Sequence, residues 1–364
     1  MNTDDDFFEL TPIMGSHSNL SEEEKKELRK IIKKAQYDSR KELLEAKCFY
    51  CGKKTAFCNS HFVPKSYLKN IAENGEVFLS HKAMKIDVVE QSTGVNATGT
   101  FRLICRDCDN TIFKDYENFN YDNQPSTTIL AQIALKNFLK LIDKRMMDEG
   151  FLRRTIKNIV PEVYNSQLEA VNFDLSDYKK EARQIKKFLS GHGNKEYEVI
   201  YFKTLDYVIP VAFQGRVAIT HDFEGNIINN VFCGSKHNHI ASMHICIFPL
   251  KEKSILIMFY DKKSKKYRRF RRQFNKFNDG EKLAILFYLA VKYSEDIFYS
   301  KKIDDKVFSN TNFIAASQSH AAGITNIEDK ITRNTKALES VGKDFDLNKF
   351  NSIPNLLAEE YKIK

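Results

Sequence analysis

CFYCGKKTAFCNSHFVPKSYL, residues 48–68, and FRLICRDCDNTIFKDYEN, residues 101–118, decide how this chain is read. Each stretch holds one Cys-x-x-Cys pair: Cys48 with Cys51, and Cys105 with Cys108. Thiolates at this spacing converge on one ion, and two such pairs complete a tetrahedral four-sulfur zinc site. Four protein ligands leave no open position for water, so Zn2+ held there is structural. The module around it has a limited apolar core, and the ion supplies much of its folding free energy. Two unrelated pairs of buried cysteines are the alternative, but such pairs rarely fall twice in the same spacing.

Between the knuckles lies Ser60-His61-Phe62-Val63-Pro64, and the second knuckle runs directly into Asp109 and Asn110. The arrangement resembles the HNH (ββα-metal) endonucleases of the zinc-bearing, treble-clef type. In that family a first knuckle leads into a hairpin carrying an acidic residue, a histidine, an apolar pair and a proline. A second knuckle then opens a helix that starts with His or Asn. Here Ser60 replaces the acidic residue and Asp109 holds the helix-opening position. The family's middle Asn has no clear counterpart: Thr100 sits near its place and Asn96 a little upstream.

The resemblance implies that His61, Asp109 and Asn110 form a catalytic site. An imidazole titrates close to working pH, which suits His61 to the role of general base. Hard oxygen ligands such as the Asp109 carboxylate and the Asn110 amide suit Mg2+ or Mn2+, with His61 completing the set. The substrate implied is DNA, with RNA ranked second. The kinship implied is with bacterial restriction or phage-defence effectors. The bland reading of His61 is a hydrogen-bonded hairpin histidine. The rival function is a non-catalytic zinc module that binds nucleic acid or a protein, and Ser60 and Asp109 are its best support.

Composition sets the outer limits. The length of 364 residues points to two domains, and 42% hydrophobic residues to a globular chain. No apolar run approaches the ~18 residues of a membrane span, so no membrane partner is expected. The start, MNTDDDFFEL, lacks the basic and apolar regions of a signal peptide, so a cytoplasmic location is expected. Seven cysteines, four of them in the knuckles, fit a reducing compartment better than a disulfide framework. The net charge of +9 permits a polyanionic partner without demanding one.

In order, residues 1–20 read as a flexible leader. Residues 21–46 read as a charged helix, opened by the Ser21–Glu24 capping-box pattern. The HNH-like domain spans 47–123, with short strands at 77–79 and 101–104. An α+β domain follows over 124–303, and a C-terminal segment with weak helices over 304–364. Within the α+β part, helices are expected at 127–149, at 161–170 and from about 174 to 190. Four strand-like runs then follow without intervening helices, which favours an antiparallel sheet. Asp279-Gly280-Glu281 starts a strongly apolar helix. This second domain is expected to sense, position or regulate, through a ligand, a partner or homo-oligomerisation.

One basic–aromatic run, Tyr267 to Phe274, places Arg268, Arg269, Arg271 and Arg272 among Tyr267, Phe270 and Phe274. The arginines are candidates for phosphate contact, with the aromatics available to stack on bases. The alternative is a strand edge or turn whose aromatics pack inward. His81 is a lesser candidate for the base and reads more simply as a surface residue; the Gly234–His239 loop with Cys233 offers a second metal site but reads more simply as a polar loop.

Overall fold

In this computed structural model the residues described are 47–80, 92–96, 98–155, 161–232, 238–294, 296–318 and 345–363, with isolated positions between 30 and 42 and between 335 and 342. The expected leader, most of the expected charged helix, His81 and Cys233 to His237 lie outside them.

The class is α+β. In chain order the elements begin with β1 (Ser60–His61), α1 (Lys65–Ile71), β2 (Glu76–Leu79), β3 (Thr93–Gly94) and β4 (Thr100–Phe101). Four helices follow: α2 (Arg106–Ile112), α3 (Lys114–Glu117), α4 (Thr127–Thr155) and α5 (Pro161–Leu189). Next come β5 (Tyr197–Leu205), β6 (Val211–Val217), β7 (Met243–Pro249) and β8 (Ser254–Asp261). The chain continues with α6 (Arg268–Phe274), α7 (Asp279–Tyr293), β9 (Phe298–Tyr299), α8 (Asp305–Phe308), α9 (Thr311–Gln318) and α10 (Leu347–Phe350).

The chain forms two compact units, each discontinuous in sequence: Met1–Phe62 with Ala97–Lys195, and Val63–Asn96 with Glu196–Lys364. They part elsewhere than the 123/124 boundary read from the sequence. In the first unit β1 pairs antiparallel with β4, setting Ser60 opposite Phe101 and His61 opposite Thr100. Against this hairpin and α3 packs α4. Its partner α5 runs antiparallel to it, with Phe138 near Tyr178 and Arg145 bonded to Asp174 at 2.8 Å. Two separate helices were expected over 161–190; the chain makes one helix of 29 residues. It stops where Gly191 takes φ +78°, a left-handed conformation that glycine adopts without steric cost.

The second unit is built on a seven-stranded sheet in the order β3-β2-β9-β6-β7-β8-β5, antiparallel at every pairing. The expected antiparallel sheet is therefore present, and larger than the four runs foretold. β7 is buried end to end and β8 at every residue except Asp261, which explains their unbroken apolar sequences: interior strands have no solvent face to mark by alternation. β2 was expected to belong with the knuckles. Instead it pairs with β9, Phe78 opposite Tyr299, and joins this sheet. α7 starts as expected: Asn278 Oδ1 accepts from the Glu281 N–H at 2.9 Å, and Glu281 Oε2 accepts from the Asn278 N–H at 2.9 Å. Its buried stretch Ile285–Val291 packs into one apolar core with Phe213, Ile245, Met258, Leu356 and Leu357.

The basic run forms α6, a helix rather than a strand edge or turn. Tyr267, Phe270 and Phe274 are fully buried, as the inward-packing alternative held. Their spacing of three and four residues is one face of a helix. Within the C-terminal segment, 304–364, the described residues form the short helices α8, α9 and α10 and a 3-10 turn at Glu359–Tyr361.

Candidate metal centre and the hairpin beside it

The first knuckle is shaped by its own backbone. The Gly52 N–H donates to the Cys48 carbonyl at 2.8 Å, and Gly52 takes φ +74°, which reverses the chain directly after Cys51. The Cys48 N–H donates to Lys53 O at 2.9 Å and closes the loop. The second knuckle is a helix start. Cys105 is the N-cap of α2 in extended conformation, and Cys108 lies in the first turn. The two halves are joined by Phe49 N–H to Leu103 O at 2.9 Å and Cys58 N–H to Ile104 O at 3.0 Å.

These constraints gather the Sγ atoms of Cys48, Cys51, Cys105 and Cys108 within 4.8 Å of one another. Cys51 and Cys105 are 3.9 Å apart. A tetrahedral site with Zn–S bonds of ~2.3 Å requires sulfur–sulfur edges of about 3.8 Å. Small side-chain adjustments therefore bring all four onto one ion, and the donor set fits Zn2+ or a similar soft divalent ion. Burial pushes the Cys48 thiol up, but the N–H groups of Cys51, Cys105 and Tyr50 outweigh it and bring the thiol to about 7. The Cys105 N–H, donating to Cys48 Sγ at 3.3 Å, is one of them. This is the electrostatic setting a thiolate ligand needs. Cys108 is raised, by burial first and then by the neighbouring thiols. A dication between the sulfurs reverses that balance.

Beside the centre the hairpin meets α2. Ser60, fully buried, donates its hydroxyl to Asp109 Oδ1 at 2.6 Å. Lys136 comes from α4, is only 1% exposed, and sets its Nζ 3.9 Å from the same oxygen. The Lys136 ammonium also bonds Glu117 Oε1 of α3. It lies 4.3 Å from the Phe113 ring centroid and 5.3 Å from that of Tyr116. Cys58 lies close by, its thiol pushed up to about 12 by burial and by the negative charge of Asp109. Asp109 retains 22% exposure of its side chain, so it is reachable from solvent.

Of the residues singled out in the sequence, the four cysteines come together as a group. Asp109 is joined to Ser60, the neighbour of His61. His61 itself is half-buried in β1, and Asn110 is exposed on α2. Thr100 faces His61 across the hairpin, whereas Asn96 belongs to the second unit. In α6, Arg269 is committed to Asp222 at 3.3 Å and to Glu224, and Arg271 to Glu198. Arg268 and Arg272 are exposed.

Sequence reasoning missed Lys136. The signal was present: Gln132, Lys136, Lys140 and Lys144 recur every fourth residue along α4. That period places them on one side of α4. Gln132 Oε1 accepts from the Tyr116 N–H at 3.0 Å, and Lys140 Nζ lies 3.7 Å from the Phe62 ring centroid.

No protein-family model, no curated protein and no solved structure matches this chain. Among the described residues, no helix is long and apolar enough to cross a membrane.

Proposed function

We propose that this chain is a zinc-stabilised HNH-type endonuclease that hydrolyses phosphodiester bonds of DNA, with RNA ranked second. One observation carries the reading: the Ser60–Asp109 hydrogen bond of 2.6 Å. It brings the residue beside His61 to Asp109, in the first turn of α2 and not at its opening position as the sequence suggested, within a module whose four sulfurs converge. Convergence of those two positions is what a ββα-metal site requires.

In this reading the four thiolates hold a structural Zn2+ that ties knuckle, hairpin and helix together. Asp109 is the principal ligand for Mg2+ or Mn2+, with the Asn110 amide as a further donor. A single solvent-reachable carboxylate fits a Mg2+ site, because that ion keeps several waters and takes its remaining ligands from substrate phosphates. When bound, the ion supplies charge neutralisation at the phosphate and at the leaving oxygen. His61 accepts the proton of the attacking water. Ser60 holds the Asp109 carboxylate in place without adding charge. The exposed Arg268 and Arg272 of α6 supply phosphate contacts, and the second unit senses, positions or regulates. The wider role is that of a cytoplasmic phage-defence or restriction effector.

A second reading has its own support. Asp109 Oδ1 already has Ser60 and Lys136 as neighbours, which suits a structural carboxylate in a non-catalytic zinc module. Cleavage of plasmid DNA with Mg2+ or Mn2+ separates the two when wild type is compared with His61→Ala. Cleavage lost in the variant with zinc retained supports the enzyme. DNA bound equally by both proteins and cut by neither supports the module.

A further inference from the structure

We propose that Lys136 is a positioning residue for Asp109: a resident cation that fixes the carboxylate and holds down its affinity for a divalent ion. The inference rests on the reading of Asp109 as an ion ligand and adds to it a control on loading.

Lys136 is placed as a counter-charge, not as a surface lysine. Its side chain is 1% exposed, on a face of α4 that packs against α3 and β4. An ammonium taken out of water is retained only where carboxylates and hydrogen bonds offset the desolvation. Glu117 and Asp109 provide that offset, and the rings of Phe113 and Tyr116 add their negative faces. The ammonium is thus anchored from α2 and α3 together.

The charge balance follows. Ser60, bonded to Asp109, contributes no charge. Asp109 and Glu117 bring two negative charges to the cluster and Lys136 removes one. A divalent ion on Asp109 must therefore bind beside a fixed positive charge, with less negative charge to attract it. Even at the permittivity of water, charges of this kind held at contact distances change an affinity by roughly tenfold. The site then fills only at elevated ion concentration, or when substrate phosphates arrive with their own negative charge.

A merely structural Lys136 predicts the opposite response to its removal. If the residue only cross-links α4 to α2 and α3, Lys136→Met loosens Asp109 and weakens ion binding. If it acts through charge, Lys136→Met tightens binding while Lys136→Arg, which keeps the charge, stays near wild type. The measurement is Mn2+ binding by calorimetry to the zinc-loaded full chain of wild type, Lys136→Met and Lys136→Arg. Asp109→Asn locates the bound ion, and zinc content with thermal melting checks the fold. Should Lys136→Met lose its zinc, Lys136→Gln replaces it, since Gln still hydrogen-bonds Glu117. Tightening of at least about tenfold in the uncharged variant, with the Arg variant unchanged, is expected. Equal or weaker binding in the uncharged variant overturns the role of Lys136 alone. Absence of Asp109-dependent Mn2+ binding in every protein removes Asp109 as an ion ligand, and the inference falls with it.

Discussion

Replacing Cys105 by Ser should weaken the hold of the cysteine cluster on its ion and loosen the first unit locally. Cys105 is the most connected of the four ligands. It caps α2, its N–H bonds Cys48 Sγ at 3.3 Å, and its sulfur lies 3.9 Å from that of Cys51. Structural zinc sites contribute roughly 10–16 kcal/mol in small domains, so one thiolate of four carries about 2.5–4 kcal/mol. At ~1.4 kcal/mol per decade, local opening becomes about a hundred- to a thousand-fold more frequent. Hydrogen exchange reads this directly. The amides of Phe49, Cys58 and Asp109 are hydrogen-bonded at 2.9, 3.0 and 3.0 Å across the knuckles and the α2 start, so their protection should fall by that factor. Those of β7 and β8 in the second unit should keep theirs. Zinc content, measured on the same samples, should drop from one ion per chain. A Cys105→Ser protein with full zinc and unchanged exchange at these three amides would refute the four-sulfur centre.

Two further substitutions test the surroundings. Ser60→Ala removes a buried donor from an ionised carboxylate, which costs about 1.5–3 kcal/mol; a urea midpoint equal to wild type speaks against the bond. In the second unit burial acts to raise the Asp222 carboxyl, but the Asn226 side chain and backbone, the Glu224 N–H and the Arg269 guanidinium outweigh it and hold it below the usual range. A depressed folded-state value means that the unfolded chain binds the proton more readily. The stability from Asp222 is therefore present above about pH 4 and is lost as pH falls through that point toward the depressed value. Between pH 6 and pH 3, wild type should lose more stability than Asp222→Asn, and parallel losses count against it.

Local pattern made several things legible. Paired Cys-x-x-Cys spacings announce a convergent sulfur cluster because the ligands within each pair are neighbours in the chain. The apolar runs of β7 and β8, and the Asp279-Gly280-Glu281 start of α7, are equally local signals. Even the helix at 268–274 was written in the spacing of Tyr267, Phe270 and Phe274. It was hidden by shortness, since seven residues make barely two turns and fit a strand edge as well. The single long α5 was masked differently: Asp174 and Ser176 imitate a fresh helix start in the middle of its 29 residues.

What the sequence by itself determined is therefore whatever depends on residues a few positions apart: the knuckles, the strand character of 197–261, the caps and the α+β class. Only the tertiary structure decided which distant pieces meet. It sent β2 to β9, more than two hundred residues away in the chain, and set Lys136 of α4 beside the Asp109 carboxylate in the first turn of α2. The physical reason is that hydrophobic period and backbone propensity act over one or two turns. Strand partnership and the pairing of buried charges instead depend on loop closure and on shared burial, which no local window records.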